Sequence, residues 1–102
     1  MLKNLKDVNA MTITRINHFH AAQGKAEALD EFLHSLVPYI TASEGCLSCQ
    51  VLRNEEKTDQ FAVIEQWQSK DHHQQSLANF PKEDMAAAMP LFAMPPEGGY
   101  FS

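Results

Sequence analysis

Histidines stand at positions 18, 20, 34, 72 and 73 of this chain, and cysteines at 46 and 49. An imidazole titrates near neutrality, so a histidine aimed into a cavity is a ready general base. His72 is the best candidate for that role. His73 follows it directly, and neighbours on a helix diverge by about 100°, so the two do not easily enter one cavity. At least one of them is therefore expected to face solvent. His18 and His20 share a strand face, but two ligands without a third do not make a metal site. Cys46 and Cys49 have the spacing of a redox or metal pair. Positions i and i+3 of a regular strand point to opposite faces, however, and reactive pairs of this kind usually sit at a helix N-terminus. Two buried, reduced thiols and a cytoplasmic location are the expectation. Glu65 shares a face with the single tryptophan, Trp67. Such a carboxylate can act as a buried base, or it can pair with Arg15 or a lysine.

These groups are carried by a recognisable alternation of elements. Residues 11–20 alternate loosely, with Ile13, Arg15, Asn17 and Phe19 on one strand face and Ile16, His18 and His20 on the other. Residues 25–43 place Ala26, Leu29, Phe32, Leu33, Leu36, Val37 and Ile40 on one helical stripe. Pro38 removes a backbone donor near the end of that helix, and Gly45 supplies its left-handed stop. Residues 46–53 read as a second strand and 54–59 as a polar hairpin connection. In the third strand, 60–68, Phe61, Val63, Glu65 and Trp67 share one face while Ala62 and Ile64 take the other. Ser69 can cap a second helix running to about 79. Residues 82–89 form a shorter helix, and only 99–102 have the makings of a last strand.

With 102 residues the chain has the size of one domain with one core. Thirteen acidic residues against eight basic ones leave a net charge of −5, and the cations are scattered. That argues against nucleic acid and anionic membranes, which need a basic footprint. No run approaches the length of a membrane span. Residues 1–10 lack the apolar stretch of a secretory signal and read as a polar, flexible extension before a domain at 11–102.

The order of a glycine-closed helix, a strand, a short turn, a strand ending in Glu65-Gln66-Trp67 and a further helix resembles the antibiotic biosynthesis monooxygenase (ABM) family of small dimeric α+β domains. The resemblance covers residues 11–80 and rests on Gly24-Lys25, Leu36 to Pro38, Glu44-Gly45-Cys46, and Ile64-Glu65-Gln66-Trp67 followed by Ser69. His72 falls where many relatives carry a histidine. Ser76 departs from the pattern, since many relatives have a histidine there. The haem-degrading branch matches only at Asn17, and no histidine stands around residues 84–86 where its iron ligand would fall.

The resemblance implies a ferredoxin-like βαββαβ antiparallel sheet with helices on one face, paired into a dimeric α/β barrel. It also implies a small aromatic substrate, a quinol, polycyclic phenol or anthrone, oxidised by O₂ without a cofactor. In that setting Asn17 donates to a ring oxygen as negative charge develops, or is simply satisfied by neighbouring backbone. Trp67 forms an aromatic wall with an indole donor, or packs in the core or dimer interface. His72 is the base, and Arg15, Phe32, Tyr39 and Glu65 bind substrate. Non-oxidative isomerisation of a small carbonyl metabolite and ligand binding without catalysis are the rival readings.

Overall fold

A computed structural model describes residues 12–102; the extension expected at 1–10 lies outside them. Strand β1 spans Ile13–His20, helix α1 Ala26–Ala42, β2 Cys46–Arg53 and β3 Gln60–Trp67. Helix α2 spans Lys70–Asn79 and α3 Lys82–Ala88, followed by a 3₁₀ turn at Met89–Leu91 and β4 at Glu97–Phe101. The four strands form one antiparallel sheet in the order β2-β3-β1-β4. This is the ferredoxin-like α+β arrangement, in which a helix crosses between strands that are not hydrogen-bonded neighbours.

Local chemistry accounts for the ends of the helices. Gly45 closes the α1 segment at φ +85°, where a side chain would also run into the His72 ring. The Ser69 hydroxyl accepts from the His72 backbone N–H and caps α2. The α1 stripe buries Leu29 and Leu33 against Phe61 and Val63 of β3 and Ala21 after β1, with Phe19, Phe32, Leu36, Val51 and Phe92 packed around them.

Register aligns the inward side chains in rows across the sheet. Phe19 pairs with Phe61, Asn17 with Val63, and Arg15 with Glu65. On the other edge of β1, Asn17 pairs with Gly98 and Arg15 with Tyr100. The sheet's inner face thus passes from apolar at Phe19 and Phe61 to polar at Arg15 and Glu65 before the apolar Ile13–Trp67 pair, and the polar rows are where a site can form.

Two expectations need correction. Strand β4 is longer than residues 99–102 and begins at Glu97, because pairing with β1 holds the two glycines extended where their own propensity would not. The cysteines do not point to opposite faces. β2 is irregular between Cys46 and Ser48, so Cys46 pairs with Trp67 and Cys49 with Glu65. The extra residue, Leu47, shifts the alternation by one and turns both thiols to the helix side. Burial pushes the Cys49 thiol up to about 12, with the Glu65 and Cys46 charges adding to the effect. A thiol so disposed holds its proton at neutral pH and is a poor nucleophile.

Candidate active site

Between the sheet and the three helices lies a cavity of about 320 Å³, at the small end of the range for small-molecule sites. Phe32, Leu36, Tyr39 and Ile40 of α1 line it from above, His73, Ser76 and Leu77 of α2 from one side, and Met85 of α3 with Met89 from the mouth. Phe19, Phe80 and Phe92 complete the apolar wall, and Arg15, Asn17 and Glu65 rise from the sheet floor.

The floor is built by register. Arg15 Nε donates to Asn17 Oδ1 at 3.0 Å, which leaves the outer guanidinium nitrogens for other work. Among the described residues no carboxylate pairs with Arg15 within salt-bridge distance. A Cβ on Gly98 would collide with both the Asn17 amide oxygen and the Arg15 guanidinium, so that glycine makes room for the pair. The Arg15 guanidinium also lies 4.7 Å from the Tyr100 ring centre.

Glu65 is 5% exposed and His73 is 3% exposed. Glu65 Oε1 accepts from the Trp67 indole N–H at 2.9 Å. Burial raises the Glu65 carboxyl above its usual range, against the pull of the Trp67 hydrogen bond and of Arg15. His73 Nε2 lies 3.9 Å from Glu65 Oε1, too far for a hydrogen bond. Its Nδ1 is 2.7 Å from the Tyr100 hydroxyl. Burial, assisted by Arg15, lowers the imidazole to about 4. His73 is therefore a neutral imidazole at physiological pH, beside a fixed cation and an amide. The site can receive an acidic O–H, accept its proton and hold the resulting anion.

Of the residues singled out from the sequence, Arg15, Asn17, Phe32, Tyr39 and Glu65 meet at this cavity. Two lie elsewhere. Trp67 is fully buried and stands behind Glu65, so it orients that carboxylate and does not wall the pocket. His72 packs on Gly45, with Nδ1 2.7 Å from Ser69 Oγ and Nε2 3.9 Å from Glu44. It serves the start of α2, and a separate, more open groove.

His73, Ser76, Gly98 and Tyr100 line or back the cavity as well, though none of them stands out as a site residue in the sequence. A signal for the first two was present: 73, 76, 77 and 80 have the spacing of one helical face. It was hidden because two of those four residues are polar. Ser76 does not offer its groups freely, since its carbonyl accepts from the Tyr39 hydroxyl at 2.7 Å and its hydroxyl lies 3.1 Å from that of Ser43. Among the described residues no cluster of three or more potential ligands could hold a metal ion, and no helix is long and apolar enough to cross a membrane.

A family profile described as antibiotic biosynthesis monooxygenase matches residues 12–89. No curated protein sequence matches the chain significantly. Among solved structures, the chain is similar to PA3566 from Pseudomonas aeruginosa, with a TM-score of 0.80 and 24% identity over 89% of this chain and 92% of that one. It is similar to NE2512 from Nitrosomonas europaea, a protein of unknown function, with a TM-score of 0.77 and 25% identity over 89% and 88%. A mutant of SnoaB, a cofactor-independent oxygenase from Streptomyces nogalater, matches with a TM-score of 0.76 and 20% identity over 90% and 92%.

Proposed function

The chain belongs to the antibiotic biosynthesis monooxygenase family, and on that premise we propose that it oxidises a quinol, polycyclic phenol or anthrone with O₂ and without a cofactor. The observation that carries the reading is the polar row Arg15, Asn17, Glu65 and His73 at one end of an otherwise apolar cavity. The fused rings lie against Phe32, Leu36 and Phe80, and the hydroxyl points to the row. His73 Nε2 takes the hydroxyl proton, and Arg15 and Asn17 hold the anion. That anion gives one electron to O₂, and the superoxide formed joins the ring-carbon radical as a peroxide. Protonation and loss of water leave a carbonyl, with one oxygen atom in the product and one in water. The likeness to SnoaB, itself a cofactor-independent oxygenase, supports this chemistry.

Two copies of the chain pack through the sheet face turned away from the helices. That face carries Ile16, Ala62 and Ile64, with Leu52 and Phe101 exposed at its edges. An apolar sheet face of this kind is covered most simply by a symmetric copy of itself.

A second reading is favoured by Glu65 and His73 standing side by side: proton transfer on a small carbonyl metabolite, which needs a base and an oxyanion donor but no oxygen. Oxygen uptake with reduced naphthoquinols and anthrones, corrected for autoxidation, separates the two. Saturable uptake is expected from the wild type, with kcat reduced about 100-fold or more in Arg15→Ala as charge stabilisation is lost. No uptake above autoxidation across the panel overturns the oxygenase.

A further inference from the structure

We propose that Tyr100 is the outer half of a proton relay that carries the substrate's proton from His73 to solvent. The inference rests on the oxygenase reading for its substrate and on geometry for its path. Tyr100 does not line the cavity. It stands behind His73 on β4, half-buried, with its hydroxyl 2.7 Å from His73 Nδ1. The rings of His73 and Tyr100 meet edge to face at 5.4 Å. Among the described residues the hydroxyl has no second hydrogen-bond partner, which leaves water as its outlet. His73 Nε2, on the cavity side, is likewise free of any hydrogen bond among those residues. The imidazole thus has one nitrogen toward the cavity and the other on the hydroxyl of a tyrosine that is only part-buried. The charged groups facing this pair are Arg15 from β1, Glu65 from β3 and, above the Tyr100 ring at 5.3 Å, Lys70 from α2.

The arrangement resolves a difficulty in using His73 as a base. A buried imidazole beside Arg15 resists becoming imidazolium, so it accepts a proton poorly if it must keep it. A relay avoids that charge. The substrate O–H bond breaks as Nε2–H forms, Nδ1–H passes to the Tyr100 oxygen, and the original Tyr100 proton goes to water. His73 changes tautomer and stays neutral throughout. When the peroxide forms, Nε2–H protonates its outer oxygen. In the same step Tyr100 returns a proton to Nδ1 and draws one from water, so the imidazole stays neutral and regains its starting tautomer. Tyr100 therefore acts through His73, as a positioning and relay residue.

Two measurements test this. Nitrogen-15 NMR of the imidazoles reads the tautomer without turnover. The resting protein is expected to carry the His73 proton on Nδ1, with that signal displaced in Tyr100→Phe; a resting Nε2–H tautomer overturns the relay. In oxygen uptake, Tyr100→Phe keeps the ring stacking and is expected to lower kcat at least about tenfold with KM little changed. The deficit should close for halogenated quinols that enter already ionised, because they have no proton to hand over. An equal deficit for ionised and un-ionised quinols would reduce Tyr100 to a structural role. Absence of uptake in the wild type would instead overturn the oxygenase reading, and the tautomer would then decide the relay alone.

Discussion

The difference between His72 and His73 is one of azimuth. Each is an imidazole on the first turns of α2, yet one lies on Gly45 beside the Ser69 cap and the other is buried against Glu65. The buried one has a consequence for stability. With its imidazole lowered to about 4 from the ordinary 6.5, the unfolded chain binds a proton in that window that the folded chain refuses. Stability should therefore fall as pH drops from about 6.5 towards 4, by at most about 1.4 kcal/mol per pH unit. Glu65 works with the opposite sign. Its raised carboxyl contributes stability at low pH that is lost as pH rises through the folded value. Urea titrations of wild type and His73→Phe across this window isolate the histidine. The wild type should show the steeper loss, and parallel curves would mean that His73 is not the buried neutral group described.

At the scale of elements, β4 is the part whose contribution is least apparent from its composition. Five residues at the sheet edge supply both Tyr100 behind the base and the open space at Gly98 into which Arg15 and Asn17 settle. Gly98→Ala should therefore injure the site more than the fold. Overpacking of this kind costs about 1–3 kcal/mol, while displacement of the anion-binding pair should lower kcat/KM at least about tenfold. Circular dichroism with oxygen-uptake kinetics would check both. Unchanged kinetics would show that Arg15 and Asn17 need no such space. The β2 bulge acts in the same way, since one inserted residue decides that Cys46 and Cys49 face Glu65 and not the open side of the sheet.

For the molecule as a whole, the helices cover one sheet face and leave the other to Ile16, Ala62, Ile64 and their polar neighbours Thr14, Gln50 and Gln66. Light scattering with size exclusion should give twice the chain mass. Ile64→Lys, placed in the middle of this face with its partners Ile16 and Gln50, should shift the protein to the monomer with the helix-side cavity intact. A wild type that elutes at the mass of one chain at micromolar concentration would refute the paired-sheet arrangement.

Local pattern was enough to place β1, α1, β2, β3 and α2. The periodicity of the α1 stripe, the glycine at 45 and the hydroxyl at 69 act within a few residues of where they stand. The same alternation put Arg15, Asn17 and Phe19 on one face and Glu65 on the matching face of β3, so much of the cavity floor was legible. The rest depends on contacts between distant segments. Whether His72 or His73 turns inward is set by how α2 docks on the sheet, because a single helical step swings a side chain through about 100°. Trp67 became a support for Glu65 because α2 docks His73 edge-on against its ring at 5.5 Å and leaves the indole fully buried, with its N–H on the carboxylate. Gly98 and Tyr100 acquired their roles only when β4 took its register beside β1, 81 and 85 residues along the chain from their partners Asn17 and Arg15. Residue type and local spacing establish the elements and the faces that carry the chemistry; which imidazole meets the cavity, and what stands behind it, follows from how segments distant in sequence pack together.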